Sequence, residues 1–223
     1  MKYIKKFIKY NEDISDYTLK KNNSEYDHYF NQGKEDYSKV AWGTESNQLK
    51  NYKLVTNYID NNDSLLDFGC GLGNFLDYLQ KINISISDYL GVDINNNYIK
   101  NAVKKYPNNK FNLIKSANDI KGNWDVVCAI GVFTWYIEKE EFIDTIRKLH
   151  SLCNKHILIT LLNDSSEETP YTMSNYSIDD EDDFWTSEYK YYDEELFYEL
   201  FPEFSSKMTF EYAETTILVK IEK

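Results

Sequence analysis

Between residues 65 and 162 the apolar positions fall into short continuous runs, separated by stretches in which they recur at helical spacing. That alternation predicts βαβ units stacked into a parallel sheet. Leu65-Leu66-Asp67-Phe68 reads as a first strand, and a helix follows from Asn74 with Phe75, Leu76, Leu79 and Ile82 along one face. Tyr89 to Ile94 reads as a second strand. The next helix places Tyr98, Ile99, Ala102, Val103 and Tyr106 at helical intervals and stops at Pro107. Phe111 to Ile114 and Trp124 to Ile130 are the third and fourth strands, the latter apolar enough to lie buried on both faces. Glu138 to Leu152 predicts an amphipathic helix with Phe142, Ile143, Ile146 and Leu149 inward, and His156 to Leu162 a fifth strand. Residues 163–190 are polar and acidic and read as a loop insertion. Order returns with a helix near Asp193 to Leu200, ended before Pro202, and two strands, Lys207–Tyr212 and Thr215–Ile221, in a hairpin whose turn lacks glycine.

Composition narrows the picture. A chain of 223 residues suits one α/β domain, and 42% apolar content supports a single core. Lys and Arg number 25 against 37 Asp and Glu, a net charge of −12 that disfavours broad contact with a phosphate backbone, so nucleic acid is not an expected partner. Lys2, Lys5, Lys6 and Lys9 break up every apolar run at the start, which therefore reads as a solvated helix or frayed end and not as a signal peptide. No run approaches the length of a membrane span, so no membrane partner is expected. Cys70, Cys128 and Cys153 are odd in number and lack metal-ligand spacing, which fits reduced thiols in a cytoplasmic protein and no metal. With 20 tyrosines in the chain, any single tyrosine carries little weight.

The chemistry concentrates in Asp67-Phe68-Gly69-Cys70-Gly71-Leu72-Gly73-Asn74. A strand running through closely spaced glycines into a helix lets bare backbone approach a ligand, with helix N-terminal N–H groups available to an anionic group. The spacing is G-x-G-x-G, tighter than the G-x-G-x-x-G of a dinucleotide site, and leaves room for an amino acid's carboxylate in place of two phosphates. Twenty residues past Gly73 the second strand ends in Gly91-Val92-Asp93-Ile94. A carboxylate there is placed to accept both hydroxyls of a ribose.

These residues resemble the class I methyltransferases that use S-adenosylmethionine. Their first motif is similar to Leu65–Gly73 and their second to Tyr89–Ile94, and the likeness covers Leu65 to Leu162. The resemblance implies a Rossmann-like, doubly wound, mostly parallel seven-stranded sheet with one antiparallel strand near the C-terminus and helices on both faces. It implies that Gly69, Gly71 and Gly73 line the methionine part of the cofactor, with Asp67 bracing the loop. Asp93 would bind the ribose hydroxyls and Ile94 would pack on the adenine. Asn118-Asp119-Ile120 stands where the family places an adenine-contacting polar side chain, which either Asn118 or Asp119 would supply, and both also suit a turn or cap. Ile130 and Gly131 correspond to the segment beside the sulfonium. Upstream, Val40-Ala41-Trp42-Gly43 with Gln48 and Tyr52 is similar to a pre-motif of a bacterial branch, in which an arginine tends to stand near Asn51; that carboxylate partner is missing here.

The implied product is S-adenosylhomocysteine, and the implied reaction is in-line transfer of a methyl group to oxygen or nitrogen of a small molecule or saccharide precursor. The segment after the fourth strand, Ala129 to Trp135, lacks the Asn/Asp-Pro-Pro-Tyr signature of enzymes that methylate planar amino groups. Residues 1–60 are expected to form a helical lid and pre-motif segment over a methyltransferase domain of residues 61–223, a single domain overall. Tyr26, Tyr29 and Trp42, with Trp135 and Tyr136 at the mouth, are candidates for substrate contact, and His28 for a general base; His150 and His156 read as structural. The run Asp179–Asp183 reads as a solvated loop. A non-catalytic module that senses S-adenosylmethionine is the second reading. A nicotinamide-dependent oxidoreductase is disfavoured by the glycine spacing.

Overall fold

The computed structural model describes residues 19–134, 137–163 and 191–223. The chain begins in a helix over residues 19–32, α1. Two further helices precede the sheet, α2 (Asp36–Lys39) and α3 (Glu45–Thr56). Then come β1 (Ser64–Phe68), α4 (Asn74–Lys81), β2 (Asp88–Asp93), α5 (Asn96–Lys105), β3 (Lys110–Leu113) and β4 (Trp124–Ile130). The second half holds α6 (Lys139–Leu152), β5 (Cys153–Asn163), β6 (Tyr191–Tyr192), α7 (Glu194–Leu200), β7 (Met208–Ala213) and β8 (Thr216–Glu222).

The strands lie in the order β3-β2-β1-β4-β5-β8-β7, all parallel except β8, which runs against both β5 and β7; the two-residue β6 pairs with the end of β5. The expected seven-stranded, Rossmann-like sheet with one reversed strand is therefore present. The order reverses between β1 and β4, and at such a switch point the loops leaving the strand ends part and open a crevice.

Period-two alternation explains why the central strands read as unbroken apolar runs. In β1, Leu66 and Phe68 join one core with Val127, Ala129, Ile157 and Ile159 under α6 and α7. Leu65 faces the other, with Val126, Cys128, Leu158 and Leu218 under α3, α4 and α5. Leu65 and Leu66 are wholly buried, each contributing about 1.5–3 kcal/mol of transfer free energy.

Three features were not expected from the apolar pattern. Helices α2 and α3 fall in the stretch expected as a helical lid and pre-motif segment, with bounds that the apolar pattern did not give. The hairpin between β7 and β8 closes without glycine because Glu214 itself takes a left-handed φ of 48°, its side chain paired with Lys50 at 2.6 Å. Strand β5 starts at Cys153, three residues earlier than its apolar run, directly from the end of α6. His150 and His156 are structural as expected: their Nε2 atoms pair with the carbonyls of Glu222 (2.9 Å) and Tyr58 (2.8 Å), and burial lowers both pKa values.

Candidate functional site

The glycine loop leaves β1 and is tied at once to β2. Gly69 and Cys70 both donate their N–H groups to the Val92 carbonyl, at 2.8 and 3.0 Å. Gly69, Gly71 and Gly73 have φ values of 78°, 54° and 77°, a region costly for any residue with a Cβ. Their bare faces are covered by the protein itself. A Cβ on Gly69 would lie 2.5 Å from Val132, and one on Gly71 would lie 2.9 Å from Val40. Glycine is thus required by packing as well as by conformation, beside the expected approach of bare backbone to a ligand.

Asp93, at the end of β2, is 7% exposed, and its carboxylate locks the loop. Oδ2 accepts the Gly71 N–H at 2.9 Å and Oδ1 accepts the Asn95 N–H at 2.7 Å. Burial pushes this carboxyl up to about 6, while the amide hydrogen bonds from Asn95, Gly71 and Ile94 pull it down. An ionised carboxylate has about four acceptor sites, so the side chain keeps acceptor capacity for a hydroxyl beyond these bonds. Ile94, half-buried, packs against the α6-side core beside it.

Asp67 lies beneath the loop at 2% exposure. Its Oδ2 accepts the Tyr89 hydroxyl at 2.7 Å, a contact that no local signal announced. Burial is the largest influence and pushes the carboxyl up to about 7; the Tyr89 bond opposes it and the charge of Asp93 adds to it.

After β3, the segment Ala117–Asp119 makes one 3-10 turn. Asp119 folds its carboxylate back onto the N–H groups of Lys115 (2.8 Å) and Ser116 (3.4 Å), so it is a cap. Asn118 is exposed beside it and Ile120 is buried. At the end of β4, Ile130 is buried and Gly131 takes a φ of 68°, its N–H held by Thr160 Oγ1 at 3.0 Å. A Cβ on Gly131 would stand 2.9 Å from the Trp42 indole. The structure therefore brings Trp42 and Gly131 together, and sets Val40 over Gly71.

Helix α1 lies along the start of α5. Asp27 accepts hydrogen bonds from the side-chain amides of Asn95 (2.9 Å) and Asn97 (3.0 Å), and the buried Tyr98 hydroxyl donates to the Lys39 carbonyl at 2.6 Å. Asp27, Asn95 and Asn97 were absent from the sequence-based candidates. Tyr26, half-buried, is close enough to Asp93 and Tyr29 that burial first, and then their negative charge, hold its phenol well above the usual range. His28 is exposed on α1, its ring edge-on to Tyr29 at 5.9 Å. Trp135, Tyr136 and the run Asp179–Asp183 lie outside the described residues.

One buried donor stands open. The Gln48 side chain is 4% exposed, and its Nε2 has no hydrogen-bond partner among the described residues.

A family model described as a methyltransferase domain matches residues 44–204. Protein 235L of Invertebrate iridescent virus 6, which bears a methyltransferase name, is 23% identical over 124 residues, 53% of this chain and 46% of that protein. The match thus spans about half of the viral protein's length. Among solved structures, magnesium protoporphyrin IX methyltransferase (ChlM) from Synechocystis PCC 6803, with bound SAH, superposes with a TM-score of 0.60 at 13% identity. That likeness covers 96% of this chain and 99% of the other. The PH0226 protein from Pyrococcus horikoshii OT3 has a TM-score of 0.62 at 16% identity, over 82% of this chain and 93% of its own.

Proposed function

The chain belongs to the methyltransferase-domain family, and from that premise we propose that it transfers a methyl group from S-adenosylmethionine to an oxygen or nitrogen of a small-molecule or saccharide-precursor acceptor. The observation that carries the reading is the bond from the Gly71 N–H to the Asp93 carboxylate, which makes the glycine loop and the acid of the next strand one wall. A wall of that kind suits a ligand with an amino-acid tail at one end and a ribose at the other.

Three features fit the cofactor: a preset backbone loop, a carboxylate with acceptor capacity left, and an enclosed amide donor without a partner among the described residues. In this reading Gly69, Gly71 and Gly73 line the methionine part, and Asp67 braces the loop from beneath. Asp93 takes the ribose hydroxyls, and Ile94, Asn118 and Ile120 surround the adenine. Asp119 drops out of that role, because its carboxylate is already spent on its own turn. Ile130 and Gly131, with Trp42 against them, stand beside the sulfonium.

When bound, S-adenosylmethionine supplies an electrophilic methyl carbon on a positively charged sulfur. The chain's share is positioning and exclusion of water. Tyr26 and Tyr29 on α1 wall the crevice from the lid side, and Asp27 holds that helix in place. No proton is routed through His28, an exposed residue whose ring meets Tyr29 edge-on. A small acceptor is supported by the fold likeness to ChlM, a magnesium protoporphyrin IX methyltransferase.

The test is incubation of the full chain with methyl-labelled S-adenosylmethionine and a panel of small hydroxy and amino acceptors, with S-adenosylhomocysteine as the readout. Turnover on at least one acceptor is expected. Asp93→Ala should weaken cofactor binding by about 1–3 kcal/mol through lost charge-assisted hydrogen bonds. Tight binding without turnover across the panel would favour the sensing module, and no binding would end both readings.

A further inference from the structure

Charge is unevenly spread along a chain that is acidic as a whole. Residues 94–123, which carry α5 and β3, hold six lysines against one acid, Asp119. Residues 193–214, which carry α7 and β7, hold seven acids against one lysine, Lys207. Strands β3 and β7 end the strand order on either side, so the two segments stand at opposite edges of the sheet. Six strand spacings lie between them, about 29 Å, too far for α5 to meet α7 of the same copy.

The outer faces of the two helices match in spacing and oppose in charge. On α5, Lys100, Val103 and Lys104 stand at i, i+3 and i+4, which is one face of a helix. On α7, Glu195, Tyr198 and Glu199 repeat that spacing. The four charged side chains are exposed, and Val103 and Tyr198 are 46% and 40% exposed. The opposite faces are the buried ones, with Tyr98, Ile99 and Ala102 on α5 and Phe197 and Leu200 on α7. Tyr212 on β7, also exposed, extends the acidic face beside Glu194.

Neither face is explained within its own copy. Like charges one turn apart repel and weaken a helix. The helix dipole favours Lys104 at the end of α5 and Glu195 at the start of α7, but it does nothing for Lys100 in mid-helix and opposes Glu199 in the last turn. Neighbouring charges are matched: Lys105 pairs with Asp36 at 3.0 Å, Lys110 with Asp88 at 2.8 Å and Glu203 with Arg147 at 2.7 Å. Lys100, Lys104, Glu195 and Glu199 have no ion pair among the described residues. What each face offers is a hydrophobic side chain between two like charges. A nucleic acid would use the lysines but not Val103, and α5 turns no aromatic ring to solvent on which a base could stack. The complement is present on the chain itself.

We propose that the α5 face of one copy docks on the α7 face of a second copy, lysines against glutamates and Val103 against Tyr198. Each copy then keeps one face of each kind, so the contact is head-to-tail and builds chains or rings, not a two-fold dimer. A small contact of this kind, steered by charge, belongs to the weak and reversible class. The proposal is independent of the methyl-transfer reading.

Sedimentation velocity of the full chain, over about a hundredfold range of concentration, reads the association. At about 0.15 M salt the sedimentation coefficient of the parent should rise with concentration; at about 1 M, where the Debye length has shrunk from about 8 to about 3 Å, association should weaken about tenfold or more. Two double variants reverse one face each, Lys100→Glu with Lys104→Glu and Glu195→Lys with Glu199→Lys. Each keeps a like-charge pair on its helix, so the repulsion within the helix is unchanged, and an unaltered melting temperature checks the fold. Neither variant alone should associate. An equal mixture should, because every α5 face then meets an α7 face of opposite sign, while both variants remain acidic overall and gain no general attraction. The single changes Lys100→Glu and Glu199→Lys, read in the same way, serve if a double variant folds poorly. A parent that stays monomeric throughout, a variant that associates like the parent, or a mixture that stays apart would overturn the contact. Binding of an RNA or an acidic peptide to the α5 face of a parent that stays monomeric would assign the face to that partner and overturn it equally.

Discussion

Replacing Tyr89 by phenylalanine removes one oxygen atom from beneath the glycine loop, and its cost should depend on pH in a way that identifies Asp67 as the cause. In the folded protein the Asp67 carboxyl is pushed up to about 7, against an unfolded value of about 3.9. The folded state therefore binds a proton that the unfolded state has released, and stability falls as pH rises from about 4 to about 7, then levels off. Three units of displacement amount to about 4 kcal/mol, the order of the penalty for carrying that buried charge above pH 7. The Tyr89 hydroxyl, 2.7 Å from Oδ2, acts against the penalty by donating to the ionised form. Without it the folded carboxyl moves higher still, and the decline in stability continues to higher pH. At pH 6 the acid is mostly protonated in both proteins, and the variant loses a neutral hydrogen bond, about 0.5–1.5 kcal/mol. At pH 9 the parent makes a charge-assisted bond that the variant lacks, about 1.5–3 kcal/mol. Urea unfolding at the two pH values measures the difference. Asp93, whose carboxyl burial pushes up to about 6, contributes to both proteins alike and cancels to first order. A Tyr89→Phe cost that is equal at pH 6 and 9, or smaller at 9, would refute the coupling, and so would persistence of the pH effect in an Asp67→Asn background.

Two further outcomes follow from the geometry. Gly69→Ala forces a Cβ into a φ of 78° and to 2.5 Å from Val132, so the unfolding midpoint should drop by the equivalent of about 1–2 kcal/mol for backbone strain alone; an unchanged midpoint would show that the loop yields freely. Asp27→Ala deprives the Asn95 and Asn97 amides of their shared acceptor, so amide hydrogen exchange in residues 19–32 should quicken about fivefold, for roughly 1 kcal/mol of lost docking, while α6 keeps its protection. Equal acceleration in α6 would mean that the whole fold, not the lid contact, had been weakened.

Much of the sheet was legible because its central strands are buried on both sides, and a two-sided strand must be a continuous apolar run. Leu65-Leu66 and the stretch Val126 to Ile130 announce themselves for that reason. The glycine loop was legible because positive φ at three alternate positions demands glycine. What escaped notice depends on register and on distance along the chain. Tyr89 was one tyrosine among 20, and its partner became visible only once β1 and β2 were aligned with Leu65 opposite Tyr89. Asp27 meets Asn95 and Asn97 across about seventy residues, with nothing local to mark any of the three. That Asp119 caps its own turn depends on a side chain folding back by a few ångströms, which no spacing announces.

Helix α3 shows the same lesson from the opposite side. By apolar periodicity its inward face should have carried Leu49, and the residues beside it should have met water. The structure inverts this, because a helix can bury an amide wherever a hydrogen-bond partner stands ready, and Thr216 stands ready for Asn51. Polar residues on an interior face are thus a statement about what that face meets. On α3 the statement is satisfied within the protein at Asn51 and left open, among the described residues, one turn earlier at Gln48. A folding requirement alone would have been met more cheaply by leucine at residue 48, since an apolar side chain there would leave no donor unmet.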